Sequence, residues 1–234
     1  MQRCVERCVR MIFENYDRIV FAGDSVTSMG SNQPVGEGLR DNVGFGFVRV
    51  IENLLSAFYP EVILRITNCG VSGDTTVQLL DRYDHHVVDL KPDWVAICIG
   101  INEVWRQFDS PAMQELHVSP EQYRANVEEM IRRVKDTVKG ILILSPYMME
   151  PNREDPMRKR MDEYVEVSRQ IAEKHGCIFV DFQKMYDEYC QIRHNCYIAW
   201  DRIHPNQVGA TLMACEVLKH CGFDFGRLAG TGSL

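Results

Sequence analysis

Five short apolar runs, spread over most of the chain, constrain its fold more than any other feature of the sequence. In each run successive residues are apolar, so both faces of the resulting strand would be buried. Strands of this kind are typical of a parallel sheet that lies between two layers of helices. We therefore predict strands at residues 19–22, 62–66, 94–99, 141–144 and 177–180.

The segments between these runs show helical periodicity. Apolar residues recur at three- and four-residue spacings within 47–55 and again within 127–134. Ser119 followed by Pro120 is a typical helix start, a capping side chain and then proline at the first position. The alternation of strands and helices predicts a three-layer, doubly wound, flavodoxin-like α/β fold with a five-stranded, mainly parallel sheet. We expect a single domain over 1–234, with residues 1–16 as an N-terminal helical extension.

Glycine and polar residues follow each of the first three predicted strands. The first strand ends in Gly23-Asp24-Ser25, the second leads to Asn68-Cys69-Gly70, and the third to Gly100-Ile101-Asn102. The carboxyl ends of parallel strands share one edge of the sheet, where doubly wound folds place their sites. A fourth polar segment, Asp201-Arg202-Ile203-His204-Pro205, comes just before the last helical segment.

These segments contain the residues that acyl transfer requires. A serine hydroxyl needs an imidazole within hydrogen-bond reach, and the imidazole needs an acceptor on its other nitrogen. Ser25, His204 and Asp201 are the predicted catalytic residues, with Asp201 and His204 three positions apart on one turn. A tetrahedral intermediate also needs donors aimed at its oxyanion. We expect them to be the backbone N–H groups of Ser25 and Gly70 and the side-chain amide of Asn102.

In this order, the four segments resemble the sequence blocks of the SGNH hydrolases, the GDSL esterases and lipases. The stretches 100–109 and 199–205, together with Asp155-Pro156-Met157-Arg158, are similar to intracellular acetyl xylan esterases. The resemblance implies an esterase that removes acetyl groups from xylo-oligosaccharides or related sugars, without a metal or organic cofactor. In the third block Glu103 stands where the family usually has aspartate, so the loop that holds Asn102 is expected to differ.

Three residues next to these blocks are candidates for substrate binding. Trp105, Arg106 and Trp200 could form an aromatic platform for a sugar ring and donate to its hydroxyl groups. Ordinary packing explains the two tryptophans almost as well, and both interpretations are open at this point.

Composition limits the partners. The formal net charge is -7, and the one basic cluster, Arg158-Lys159-Arg160, lies among acidic residues and is interpreted as a solvated helix face. Nucleic acid is therefore not expected as a partner. Nine cysteines, an odd number, indicate a reducing, cytoplasmic compartment. No apolar run is long enough to cross a membrane. The expected partner is a small acylated molecule, and a homo-oligomer is compatible with this size.

Three alternatives remain open. A lysophospholipase, thioesterase or broad aryl esterase could use the same scaffold, because specificity depends on loops. A metal-dependent phosphoesterase could use Asp24, Asp74, Asn102 and His204, but two-metal sites normally contain several histidines. A non-catalytic carbohydrate-binding protein would have no need to retain Ser25, His204, Asp201 and Asn102 together.

Overall fold

The sheet contains one strand more than the sequence predicts. The computed structural model describes residues 10–38 and 40–227. The extra strand in this part of the chain is β2, which has two residues and lies in the glycine-rich segment after Ser25. That segment has no alternation of apolar and polar residues from which a strand could be predicted. The six strands are β1 (Arg18–Gly23), β2 (Gly36–Glu37), β3 (Arg65–Gly70), β4 (Trp94–Cys98), β5 (Gly140–Leu144) and β6 (Ile178–Val180).

The strand order is that of a doubly wound sheet. Five strands pair in parallel in the order β3-β1-β4-β5-β6, and β2 pairs antiparallel with β3 at the edge. Without β2 this is the flavodoxin-like order, which confirms the predicted fold class. The winding reverses between β1 and β4, and a crevice at the carboxyl ends of these two strands is the expected position of a site.

The second predicted strand was misplaced. The apolar run over 62–66 indicates a strand there, whereas β3 begins at Arg65 and continues to Gly70, in register with β1. Ile63 lies before the strand and is 57% exposed. Thr67 and Asn68 are fully buried within β3. Their polar side chains hid the strand from a search for apolar residues.

Nine helices are found in the described residues, and seven of them form two separate packing groups. Helices α2, α8 and α9 pack together, whereas α3 and α5 pack with α6 and α7. These groups supply the two outer layers that the apolar strands require. Ser119 caps α6 by accepting the N–H of Gln122. The bounds are α1 (Ser25–Ser28), α2 (Phe47–Phe58), α3 (Thr76–Asp81), α4 (Tyr83–His86), α5 (Ile101–Asp109), α6 (Pro120–Val134), α7 (Pro156–His175), α8 (Phe182–Cys190) and α9 (Gln207–His220).

The basic cluster on α7 is only partly the solvated face that was predicted. Lys159 is exposed, but the side chain of Arg158 is 1% exposed and forms ion pairs with Asp187 and Asp162. Arg158 also donates to the backbone oxygen of Glu150 at 2.6 Å. The interpretation was wrong for Arg158 because two of its acceptors lie outside α7, the carboxyl group of Asp187 on α8 and the backbone oxygen of Glu150 in the loop after β5.

The predicted N-terminal helical extension falls mostly outside the described residues. Residues 1–9 are not described, and residues 10–16 contain a bend and a turn but no helix. Asp17, which follows them, accepts the N–H of Glu14 and the indole N–H of Trp94. This segment therefore docks on the sheet through a local turn, and the helical expectation is wrong for 10–16.

Candidate active site

The turn after β1 presents Ser25 at the sheet edge. Gly23 ends the strand, and a Cβ atom there would lie 2.1 Å from the backbone oxygen of Cys98, so only glycine allows this approach. Asp24 caps α1, and its Oδ1 accepts the N–H of Val26 at 2.9 Å. Ser25 is therefore the first residue of a short helix, and it is half-buried. Its N–H donates to no acceptor among residues 10–38 and 40–227.

A tight turn before α9 aims His204 at this serine. Oδ1 of Asp201 accepts the N–H groups of Ile203 at 2.9 Å and His204 at 2.7 Å, which closes the turn. The other carboxylate oxygen, Oδ2, lies 2.5 Å from Nδ1 of His204. Nε2 of His204 lies 2.8 Å from Oγ of Ser25. The structure thus brings together the three residues that the sequence predicts, in one continuous hydrogen-bonded chain.

The carboxyl group of Asp201 is held in its ionised form. Partial burial acts to raise its pKa, but hydrogen bonds from the His204 ring and from the N–H groups of His204 and Ile203 outweigh burial and lower the pKa below its usual value. An ionised Asp201 beside Nδ1 keeps the proton on that nitrogen, so Nε2 is free to accept the proton of Ser25.

Asn102 lies in the first turn of α5 with its side-chain amide held from both ends. Its Nδ2 donates to the backbone oxygen of Asp74 at 2.9 Å, and its Oδ1 accepts from Arg106 at 3.2 Å. The two contacts fix which end of the amide carries the N–H groups. One N–H of Nδ2 remains for a ligand, because an amide nitrogen carries two.

Gly70 does not occupy the position of an oxyanion donor. Its N–H donates to Oδ1 of Asn68 at 2.9 Å, inside β3. The amide of Asn68 in turn donates to the backbone oxygens of Thr27 and Val43. Gly70 is needed for a different reason, since a Cβ atom there would lie 2.3 Å from the N atom of Ser28. The sequence correctly indicates a glycine of close approach but assigns its N–H to the wrong partner.

Gly73, three residues later, has the features expected for Gly70. The N–H of Asp74 donates to the oxygen of Val71 at 3.2 Å, and Gly73 has φ +88°, as required at the third position of a type II turn. Its N–H has no acceptor among the residues described. The turn reaches Asn102 through the oxygen of Asp74. A Ser-Gly pair directly after a strand is the sequence signal for such a turn.

The residues next to Ser25 and Asn102 in the sequence, Asp24 and Glu103, have buried carboxyl groups. Glu103 is fully buried, and its Oε1 accepts the N–H of Thr76 at 2.5 Å. Burial raises the pKa of Glu103 to about 7, with a further contribution from Asp74. Burial likewise raises the pKa of Asp24 to about 8, opposed by the N–H of Val26 and reinforced by Glu103 and Asp74. Glu103 therefore links α5 to the first residue of α3.

The three candidates for substrate binding have different surroundings. The ring of Trp105 is half-buried, with its centroid 5.9 Å from that of the His204 ring. The guanidinium of Arg106 lies over Trp105 and forms an ion pair with Asp109. Trp200 is 85% exposed and lines a groove of about 490 Å³ that also contacts Asp201, Glu150 and Arg202.

Two further expectations concern metals and membranes. No group of three histidine, cysteine or acidic side chains that could hold a metal ion occurs in the described part of the chain. His85 is exposed on α4 and pairs with Asp89, which follows that helix. Within the same residues, no helix is long and apolar enough to span a membrane.

The sequence matches the GDSL-like lipase/acylhydrolase family over residues 21–212. The chain belongs to this family. The match covers the first predicted strand end, the Asn102 segment and the turn with Asp201 and His204. It confirms the resemblance inferred from the four segments and the assignment of the protein as an esterase.

Relatives within the GDSL-like family have known structures. The chain is 41% identical to an acetylxylan esterase of Geobacillus stearothermophilus over 90% of its own length and 96% of that protein. The structure of a mutant of Axe2, an acetyl-xylooligosaccharide esterase from the same organism, superposes with a TM-score of 0.90 at 40% identity, covering 92% of this chain and 98% of the other. LAE5, a hydrolase from the metagenome of Lake Arreo, Spain, gives 0.88 at 46% identity, covering 91% and 98%. Solved catalytic mutants of Axe2 replace a serine, an aspartate and a histidine by alanine.

Proposed function

We propose that this protein is a serine carboxylester hydrolase that removes acetyl groups from xylo-oligosaccharides or related acetylated sugars. The observation that carries the proposal is the chain of contacts from Ser25 Oγ to His204 Nε2, at 2.8 Å, and from His204 Nδ1 to Asp201, at 2.5 Å. Sequence similarity to an acetylxylan esterase supports acetylated sugars as the substrate class. The catalytic mutants of Axe2, in which a serine, an aspartate and a histidine are replaced, support the same three residue types.

The reaction proceeds through an acyl-enzyme. Ser25 attacks the ester carbonyl carbon while Nε2 of His204 takes the hydroxyl proton, and the ester C–O bond breaks as His204 returns that proton to the leaving sugar hydroxyl. Water then attacks the acetyl carbonyl carbon while Nε2 of His204 takes a proton from it, and the bond between Ser25 Oγ and the acetyl group breaks as His204 returns that proton to Oγ and acetate leaves. Asp201 keeps the imidazole in the required tautomer and stabilises its charged form.

In this proposal three donors hold the oxyanion. They are the N–H of Ser25, one N–H of the Asn102 amide and the N–H of Gly73, which replaces Gly70 in our assignment. The Ser25 and Gly73 N–H groups lack acceptors within 10–38 and 40–227, and Asn102 keeps one N–H free. Arg106 contributes through Asn102, because its guanidinium donates to Oδ1 of that amide.

The sugar chain would lie along the groove beside Trp200. An exposed indole offers an apolar face to a sugar ring, and Glu150 and Arg202 in the same groove can bind hydroxyl groups. Trp105 has a different role in this proposal, since its ring packs against His204. We expect it to hold the imidazole in place.

Replacing the two tryptophans separates these roles. Trp200→Ala should raise KM for an acetylated xylo-oligosaccharide about three- to tenfold, the effect of about 1 kcal/mol of binding energy, and leave hydrolysis of p-nitrophenyl acetate unchanged. Trp105→Ala should slow both reactions by the same factor. Equal effects of Trp200→Ala on the two substrates would contradict a sugar-binding groove.

Substrate class is tested by acetate release from acetylated xylo-oligosaccharides and by a series of p-nitrophenyl esters of increasing acyl length. The proposal predicts acetate release and a kcat/KM that falls steeply beyond short acyl groups. A preference for long acyl chains, lysophospholipids or thioesters would favour the other activities possible on this scaffold and would exclude a dedicated sugar deacetylase.

We also infer that the protein works in a reducing compartment, the cytoplasm. Cys196 is an exposed free thiol, whereas Cys69 and Cys98 are packed as small apolar residues within β3 and β4. An accessible thiol persists where the surroundings keep it reduced.

A further inference from the structure

Two consecutive residues of α5 hold the turn that follows β3. The amide of Asn102 donates to the backbone oxygen of Asp74, and the carboxyl group of Glu103 accepts the N–H of Thr76, the first residue of α3. The other end of this segment is fixed on β1, where the N–H of Val71 donates to the oxygen of Gly23. Gly73 lies between these anchors.

Burial of the Glu103 carboxyl group destabilises the folded state. The side chain is fully buried, and Oε2 has no hydrogen-bond partner within the described residues. The titratable groups close enough to affect its charge are Asp24 and Asp74, from the turns after β1 and β3, and Tyr123 and Tyr164, from α6 and α7. Burial of a carboxyl group without a countercharge is unfavourable, so packing alone does not account for a glutamate here.

The hydrogen bond that the Glu103 side chain accepts from the N–H of Thr76 bears directly on the turn. Without it, the N–H of Thr76 would be a buried donor with no partner, and the segment would be held to α5 by Asn102 alone. The hydroxyl group of Thr76 is held separately, by the amide of Asn126 at 3.0 Å. Glu103 therefore binds the backbone of the segment after β3, whereas Asn126 binds the side chain of Thr76.

We propose that Glu103 is a positioning residue of the oxyanion hole: by accepting the Thr76 N–H it fixes the distance between the Gly73 N–H and the Asn102 amide. The proposal rests on the proposed function, because it assigns these two donors to the oxyanion. Positioning errors of about 1 Å near reacting groups can cost about 10²-fold in rate, so a modest shift of the turn has a measurable effect.

Two variants of equal length test the role of the acceptor. Glu103→Gln keeps an oxygen for the Thr76 N–H, whereas Glu103→Met has similar shape and no acceptor. With p-nitrophenyl acetate, Glu103→Gln should keep kcat within about threefold, and Glu103→Met should lower kcat about 10- to 100-fold with KM within about twofold. Wild-type kcat in Glu103→Met, or an equal loss in both variants, would overturn the proposal.

A tetrahedral inhibitor provides a readout that a general loss of stability would not change. An alkyl boronic acid forms an adduct with Ser25 that places an oxygen in the oxyanion hole, so its affinity should fall in Glu103→Met by about the same factor as kcat/KM. Tyr59→Phe is the matched control, because it removes a hydroxyl group that accepts the N–H of Asp224, a pair that involves neither Glu103 nor the turn. It should lower the melting temperature and leave both quantities unchanged.

The partner of Glu103 can be altered independently, which covers the case in which Glu103→Met does not fold. Thr76 is the first residue of α3, a position that tolerates proline, and Thr76→Pro removes the N–H that Glu103 accepts. Thr76→Ala removes only the hydroxyl group. The proposal predicts that Thr76→Pro lowers kcat at least about tenfold more than Thr76→Ala. Equal rates in these two variants would overturn it.

Combination with Asn102→Ala connects the effect to the oxyanion hole. Asn102→Ala removes one of the two groups whose separation Glu103 sets. In that background Glu103→Met should therefore lower kcat much less than it does in the wild type. If Glu103→Met lowered kcat by the same factor in both backgrounds, the proposal would be overturned. Failure of the proposed function is a separate result: wild-type protein inactive on acetyl esters, or unaffected by Ser25→Ala.

Discussion

Individual residues of the site differ in how far the sequence could predict them. Ser25, His204, Asp201 and Asn102 follow strand ends or a turn, and the structure brings them to one place. Gly70 was misassigned because sequence shows where a glycine occurs but not which acceptor its N–H meets. Here the acceptor is a side chain two residues away, that of Asn68.

Asn102 gives the most informative prediction at this scale. Asn102→Ala should lower kcat about 10²- to 10³-fold, the usual effect of losing one oxyanion donor, with little change in KM. The rate with p-nitrophenyl acetate and the affinity of a boronic acid measure the effect. A rate within a few-fold of wild type would remove Asn102 from the oxyanion hole.

At the scale of helices and strands, long-range partners decide what the local pattern leaves open. The helix α7 could be predicted to be amphipathic, but nothing local distinguishes Arg158, which is buried against Asp187 of α8, from exposed Lys159. Similarly, β3 contains buried Thr67 and Asn68, and its position is set by pairing with β1. Apolar runs therefore predict that a strand exists better than they predict where it begins.

Two ion pairs of α7 are predicted to differ in their effect on stability. Arg158→Ala removes the buried partner of Asp187, which keeps only the exposed Arg153 and the amide of Gln183, and should lower the free energy of unfolding by at most about 3–5 kcal/mol. Lys174 pairs with Glu128 on the surface, and Lys174→Ala should cost at most about 1 kcal/mol. Urea unfolding measures both. Equal costs would mean that the buried network around Arg158 does not hold α7 to α8.

For the molecule as a whole, the sequence was sufficient for the fold class because apolar runs on both faces allow few alternatives. Strand β2 could not be predicted, since a two-residue edge strand depends on its pairing with β3 and not on its own pattern. The buried carboxyl groups are a second property of the assembled molecule. Asp24, Asp74 and Glu103 lie far apart in sequence and influence one another only once the sheet has formed.

These carboxyl groups predict how stability depends on pH. Burial raises the pKa of Glu103 to about 7 and that of Asp24 to about 8, so the folded protein holds protons that the unfolded chain releases above about pH 4. The free energy of unfolding should therefore fall as the pH rises from about 5 to 8. Glu103→Gln removes one of these groups and should reduce the fall by an amount on the order of 1–3 kcal/mol.

Urea unfolding of wild type and Glu103→Gln at pH 5 and pH 8 measures this difference. If the two proteins lose the same stability over that range, Glu103 is not protonated in the folded state near neutral pH.

If Ser25 carries the acyl group, its replacement must abolish ester hydrolysis, and p-nitrophenyl acetate with wild type and Ser25→Ala, in buffer with EDTA, is the simplest assay. We expect activity in the wild type despite the chelator and a rate at least about 10³-fold lower in Ser25→Ala. Equal rates in the two proteins would mean that the nucleophile is a group other than Ser25.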